Sequence, residues 1–377
     1  MNAPERWDVV VIGAGPAGSC AAWSAAQAGL NTLLVERAVF PREKVCGCCL
    51  NPAVLGEIAR MGLTDSLEEI GAIPLETLEL VRGRESARLR IPRGAAVSRS
   101  VLDTLLANAA CSRGATLLAP AHARVGERDA RGDRTVAITT PSGVSVVAAR
   151  AVIVADGLAG SSLAAIPGAE VIESPSSAIG LGARLECPLE PGVIHMHLLP
   201  GGYLGLVALP GGVVDVAACV QPRSLRDAGG PGAWTSRACG GGNPALTEAL
   251  AAARWTGTPR LTRRRAHIEL PGILVAGDSA GYVEPFTGEG ISWAMHAGLA
   301  AGAAASRLCN GNFREGEWRQ WWGRELGPRR AACAAVRSTL RQPLLARGIV
   351  GLASAWPGIG AMVAGRFGAP WRAGVPA

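Results

Sequence analysis

The stretch from Trp7 to Glu36 constrains this chain more than any other. Trp7-Asp-Val-Val-Val-Ile12 is a continuous β-branched run, and Gly13-Ala-Gly-Pro-Ala-Gly18 follows it at once. An alanine-rich helical stretch then extends to about Ala28, and Asn31-Thr-Leu-Leu-Val-Glu36 reads as a second strand. Strand, glycine turn, helix and parallel strand form the opening unit of a dinucleotide-binding sheet. Gly13 permits the tight turn, Gly15 lets the backbone approach a pyrophosphate, and Gly18 lets the helix pack close to the strand. The pyrophosphate lies on the helix N-terminus beside Ala17, where free N–H groups and the helix dipole favour negative charge. Glu36, roughly twenty residues on, is placed to accept hydrogen bonds from a ribose. Arg37 and Arg42 follow it as further cofactor contacts.

Two later motifs repeat the logic. Ala155-Asp156-Gly157 directly follows the buried strand candidate Ala151-Val-Ile-Val-Ala155, and Gly272-Ile-Leu-Val-Ala-Gly-Asp278 is another apolar strand ending in Gly277-Asp278. An acid beside glycine at the carboxyl end of a parallel strand is where an open α/β sheet meets its ligand. Either motif alone reads equally well as an acid capping a turn; both together, in order after the glycine fingerprint, point to a ligand.

At 377 residues, 49% of them hydrophobic, the chain has enough apolar surface for a large core and is not disordered. Leu75–Val81 and Ala87–Ile91 alternate like paired strands, and a second β-rich block runs from about Ala178 to Val220. The predicted fold class is α/β: a Rossmann-like domain, an antiparallel β-sheet substrate domain inserted twice into it, and C-terminal helices. The expected nucleotide domain is discontinuous, over 1–74, 99–171 and 271–310. The sheet domain takes 75–98 and 172–270, and 311–377 is helical. A helix is expected over Arg99–Ala110.

The formal charge of +7 comes from scattered arginines, with Arg263-Arg264-Arg265 as the one tight cluster. No aromatics interleave it, so it reads as a solvated edge or a cofactor-phosphate contact, and no nucleic-acid partner is expected. About seven residues precede the first strand, too few for a signal peptide, which predicts a cytoplasmic address. Ten irregularly spaced cysteines then read as reduced thiols. Gly348–Gly365 is uncharged and interrupted by Pro357. It reads as two short buried helices, or alternatively as an apolar surface that rests on a membrane or shapes a lipophilic tunnel. No obligate protein partner is predicted.

The trio Gly13–Gly18, Asp156-Gly157 and Gly277-Asp278 resembles the single-component FAD-dependent hydroxylases and their relatives. "PREKVCG" and "GDSAGYVEPFTGEGISWAMHAG" resemble most the geranylgeranyl reductase branch of that superfamily, with the likeness covering about residues 5 to 300. The resemblance implies FAD as cofactor. It implies that Asp278 binds the ribityl chain, that Asp156 lies near the pyrophosphate and the nicotinamide path, and that Arg99 contacts the phosphate or ribose side. In the loop Pro285-Phe-Thr-Gly288-Glu289-Gly290, opening a helix at about Ile291, N–H groups and the positive dipole end suit negative charge on the flavin edge. With a single glycine fingerprint, NAD(P)H or an external reductant must reach the flavin without a domain of its own.

The one lysine of the chain, Lys44, sits in "PREKVCGCCL" beside Cys46, Cys48 and Cys49. A cation near thiols lowers their pKa. Three roles compete: Cys46 as proton donor, Cys48 or Cys49 as a redox or covalent partner, and all three as lining. Cys-x-Cys-Cys has no second ligand cluster nearby, so a metal is not expected. Lys44 is a candidate for contact with flavin, phosphate or oxygen. His195 and His197 alternate on one strand face and read either as bases over the flavin or as ordinary sheet histidines. Tyr203 matches the start of the reductase branch's Tyr-x-Trp-x-Phe-Pro pattern, but Gly205 and Ala208 or Leu209 stand where Trp and Phe would be, which enlarges the pocket. The expected function is an NAD(P)H-using flavoenzyme acting on an apolar or aromatic small molecule. Hydroxylation is placed first and C=C reduction second, with a non-catalytic flavin-binding protein as the third reading.

Overall fold

The computed structural model describes residues 4–239, 243–284, 286, 288–356, 358, 365 and 368–371. Its first large sheet grows from the opening motif. In β1 (Glu5–Ile12) residues Val9 to Ile12 are all buried, because a continuous β-branched run has no face to offer to water. β1 lies in parallel between β2 (Thr32–Val35) and β3 (Gly143–Val154), with Ile12 opposite both Val35 and Val154. Strands Thr116–Leu118 and Ile273–Val275 extend the two sides in parallel, and a hairpin of His122–Arg128 and Arg134–Thr140 pairs antiparallel with the first half of β3.

Helix α1 (Pro16–Gln27) returns from the glycine turn, α2 (Arg99–Ser112) packs beside it, and α3 (Gly290–Cys309) runs along it. The α1–α3 contact is close because α3 presents glycines. A Cβ on Gly298 would lie 2.2 Å from the Ala17 carbonyl oxygen, and one on Gly302 2.5 Å from that of Ala21. Contact of helix backbones at this range excludes any side chain between them.

The second large sheet has the order 256–260, 179–186, 213–220, 202–208, 193–199, 73–82, 85–96, 49–50. Both inserted segments thus share one sheet, but it is mixed and not wholly antiparallel: β4 (Val193–Leu199) runs parallel to Ile73–Arg82, with Val193 opposite Thr77. No hairpin joins these two strands, and the long connection through the first sheet leaves their relative direction free. β5 (Val213–Val220) is central in this sheet.

Helix α5 (Pro343–Ala355) packs on the sheet at Glu85–Ala96, and α4 (Gly327–Leu340) packs against α5. The stretch expected as two buried helices is, as far as it is described, the second half of α5. Val350 and Ala353 are buried, while Leu345, Leu352 and Trp356 are more than half exposed. Leu345 and Leu352 lie seven residues apart on one side of the helix, and Trp356 follows just beyond its end. Most of 357–367 lies outside the described residues. Among the described residues, no helix is long and apolar enough to cross a membrane.

The arginine cluster is an internal brace. Arg263–Arg265 is a strand between Val171–Glu173 and Gly281–Tyr282; Arg263 donates to the Leu158 carbonyl at 2.8 Å and pairs with Glu173, and Arg265 donates to the Ala169 and Ser279 carbonyls. Only Arg264 is exposed.

Candidate functional site

The glycine turn has the shape its sequence demands. Gly13 has φ +96°, and a Cβ there would sit 2.5 Å from the Ala155 carbonyl oxygen; one on Gly18 would sit 1.7 Å from the Gly13 oxygen. The first turn of α1 has no side-chain cap, so its N–H groups open onto a cavity of about 1010 Å³ lined by Gly13, Gly15, Pro16 and Ala17. Glu36 accepts from the Ala14 N–H at 2.9 Å and the Ala38 N–H at 3.0 Å, which holds the loop and keeps the carboxylate at the cavity wall. Arg37 lines the same wall.

Arg42 and Arg99 stand over Gly15, where a Cβ would lie 3.4 and 3.8 Å from their guanidiniums. Asp103 holds them: it takes Arg99 bidentately at 2.8 and 2.9 Å and Arg42 at 3.1 Å, while Arg42 lies 3.5 Å from Glu36. An uncapped helix N-terminus, a glycine cradle and two clamped guanidiniums fit the diphosphate of a dinucleotide. Asp103, one helical turn beyond Arg99, was missed in the sequence, although its i+4 spacing was readable there.

The two Gly–Asp motifs meet through serines. Asp156 accepts from the Ser162 N–H (3.1 Å), the Ser162 hydroxyl (2.7 Å) and the Ser279 hydroxyl (2.8 Å), and the Gly157 N–H donates to Ser279 at 2.7 Å. Asp156 therefore clamps the ends of two neighbouring parallel strands together at the cavity wall. Gly277, at φ +60°, packs its Cα against Ala17. Asp278 faces the cavity, and its carboxylate lies 3.5 Å from the Lys44 ammonium. Lys44 also closes over Gly157, whose Cβ position is 3.3 Å from Nζ.

The late bend presents Gly288, Gly290 and Ile291 to the cavity, with the Tyr282 ring beside Gly290. Pro285 lies outside the described residues. Glu289 is not among the lining residues: its buried carboxylate takes Arg329 of α4 at 3.3 Å and the Gly368 N–H at 3.2 Å. Arg329 also stands 3.9 Å over the Trp371 ring, which stacks on His296 of α3 at 4.0 Å. The far part of the chain thus braces the bend from behind.

The cation beside Cys46 is Arg99, not Lys44, because the 41–48 segment carries Lys44 onward to Asp278. The neighbouring Cys48 thiol, and then Arg99, hold Cys46 down at about 5. The hydrogen bond to Cys46, and then burial, push Cys48 up. Burial and the Cys46 charge raise Cys49, whose thiol donates to the Gly47 carbonyl. Among the described residues no group of His, Cys, Asp and Glu could hold a metal.

Beyond the thiols the cavity becomes an apolar chamber between the second sheet, α4 and α5, with Leu80, Leu89, Ile194, Met196, Leu198, Val336, Ile349 and Leu352 on its walls. The alternation of β4 decides the fate of the histidines: Ile194, Met196 and Leu198 face the chamber, so His195 and His197 face away. His195 binds Glu79 at 2.7 Å and His197 the Ala238 carbonyl at 3.0 Å. They are sheet histidines and not bases at this site. Tyr203 does line the chamber, edge-on to Phe286 at 5.1 Å, and burial pushes its hydroxyl pKa well up.

A family model described as FAD dependent oxidoreductase matches residues 8–178. The menaquinone reductase of Mycobacterium tuberculosis is 36% identical over 163 residues, 42% of this chain, and the match spans only 39% of that protein's length. Digeranylgeranylglycerophospholipid reductase 1 of Methanopyrus kandleri is 31% identical over 345 residues, 80% of each chain. A flavoprotein/dehydrogenase from Cytophaga hutchinsonii has the same fold, with a TM-score of 0.79 at 20% identity over 96% of this chain and 92% of that one.

Proposed function

Since the chain belongs to the FAD-dependent oxidoreductases, we propose that it reduces a C=C bond in a long aliphatic lipid of isoprenoid type. The single observation that carries this reading is the continuity of the dinucleotide cradle with an apolar chamber that extends to α5. A chamber with so few polar groups selects by length and shape and has no donor set to fix a small aromatic acid. Two relatives with reductase names support the same order, so hydroxylation, placed first from the sequence, becomes the second reading. What favours hydroxylation is Gly205: it leaves room beside Met196 and Tyr203 where the reductase branch carries tryptophan.

When bound, FAD supplies hydride transfer to a neighbouring carbon. Gly13, Gly15, Arg42 and Arg99 hold its diphosphate, Glu36 its ribose side, and Asp278 with Lys44 its linking chain. Gly288, Gly290 and the N-terminus of α3 close on the opposite side and favour negative charge there. Cys46 holds or gives a proton next to the reacting carbon. Aliphatic walls exclude water from the same space.

NAD(P)H is assigned as the reductant, reaching the flavin through the open side of the cavity. Leu352 of α5 both lines the chamber and is more than half exposed, so the lipid enters beside it from a membrane surface that the protein rests on. The test is anaerobic turnover of the FAD-loaded protein with NADPH or NADH and geranylgeranyl lipids or a polyprenyl quinone, followed by mass spectrometry. Products heavier by two hydrogens are expected. Oxygen-dependent products heavier by one oxygen would overturn the reading in favour of hydroxylation.

A further inference from the structure

We propose that Asp215 stores the proton that Cys46 delivers and returns it through the Cys48 thiol, making the floor under the cavity a three-group proton relay. This rests on the reading of Cys46 as the thiol next to the reacting carbon.

Asp215, Ala217 and Cys219 alternate along β5 and so share one face. Ala217 and Cys219 line the cavity, and Gly47 lies over Ala217, whose Cβ is 3.9 Å from the Gly47 Cβ position. Asp215 is therefore one step further under the crossing Cys46-Gly47-Cys48 segment. Its Oδ2 is buried without a hydrogen-bond partner among the described residues. A carboxylate buried that way is costly unless it carries a proton or meets a donor. Cys48 supplies the donor. Its φ of +54° is the one left-handed non-glycine backbone among the described residues, and its thiol lies against both Cys46 and Asp215.

The groups facing the relay come from four elements. Asp215 meets Cys46 and Cys48 from the crossing segment, and the Arg184 guanidinium at 4.0 Å from strand Ile179–Glu186. Arg184 in turn takes the exposed Glu43 at 2.6 Å. Cys46 meets Arg99 of α2, and its charge also reaches Tyr282 and Cys49. Burial first, and then the Cys46 charge, push Asp215 up to about 7, so between about pH 5 and pH 7 the shared proton rests on the carboxyl while Cys46 is the thiolate.

The proton balance is simple. From that resting state the Cys48 proton moves to the Cys46 thiolate while the Asp215 O–H proton moves to Cys48, and the new Cys46 S–H bond then breaks toward the acceptor, which restores the thiolate. One proton is delivered, no sulfur changes oxidation state, and the Asp215 carboxylate is reprotonated from solvent at the Glu43–Arg184 rim.

The test is the pH profile of iodoacetamide labelling at Cys46, quantified by peptide mass spectrometry on the full chain with FAD bound and after FAD removal. Wild type is expected to show a thiolate step near pH 5 and a second rate change near pH 7. Asp215→Asn should lose the second step, Cys48→Ala should move the first step upward, and Cys48→Ser should keep it. An Asp215→Asn profile that superimposes on wild type, a Cys48→Ala profile unchanged from wild type, or a Cys46 that stays unlabelled at every pH in both forms overturns the relay. FAD retention separates the two levels: variants that hold FAD normally but fail these shifts sink the relay alone, whereas a wild-type chain without affinity for FAD sinks the reading beneath it.

Discussion

Lys44 is the residue where chemistry and reach diverge. It was singled out as the one lysine among arginines, and it reaches the cavity, but it pairs with Asp278 under the Gly157 turn and leaves the thiols to Arg99. That exchange was not legible locally, because Arg99 comes from a helix that begins more than fifty residues after Cys46 and only the fold brings them together. Lys44→Ala should weaken FAD binding by roughly three- to tenfold in a fluorescence titration, the modest loss expected for a partly exposed charge contact. Lys44→Arg should not restore it, since the longer fork has no room under Gly157.

Asp215 gives a pH signature. Its folded pKa of about 7 exceeds the ordinary carboxylate value of about 3.9. The folded chain thus holds a proton that the unfolded chain releases, and stability falls as pH rises between those values. Cys46 works in the opposite sense: held at about 5, it adds stability as pH climbs toward the ordinary thiol value of about 8.5. Asp215→Asn removes only the first effect. Its urea midpoint should match wild type at pH 4 and exceed it at pH 8; a lower midpoint at pH 8 would mean that the carboxylate is stabilised in the fold.

Among the elements, the opening strand–turn–helix–strand unit was readable because every signal in it is local: a β-branched run, glycines with no room for a Cβ, and an acid at fixed distance. The direction of β4 was not, since it depends on a partner strand over a hundred residues earlier. The facing of β4 was half legible: alternation put His195 and His197 on one side, but which side meets the chamber is decided by packing. The tightest helix contact also escaped notice, although Gly298 and Gly302 stand four apart in α3. Gly298→Val should force α3 from α1 and cost about 3 kcal/mol in chemical denaturation. FAD should be lost with it, because the same helix begins at Gly290 beside the cavity.

For the whole molecule, the chamber sets substrate size. Gly205→Trp would fill space near Met196 and should leave FAD binding intact while cutting turnover of the longest isoprenoid lipids at least tenfold, with shorter ones spared. Its failure to discriminate by length would argue that the substrate lies elsewhere. Leu345 of α5 and Trp356 just beyond its end are more than half exposed. Replacing Leu345 and Trp356 together with serine should reduce sedimentation with anionic phospholipid vesicles severalfold and leave turnover of a detergent-dispersed lipid largely unchanged.

The grip of Gly368 and Trp371 on Glu289 and His296 has a consequence for the order of assembly. Residues 368–371 leave the ribosome after everything they brace, so a nascent chain has its glycine cradle folded while the opposite wall still lacks its backing. Capture of the yellow prosthetic group should therefore be completed only after translation has passed Trp371, and stalled chains released short of it should emerge pale.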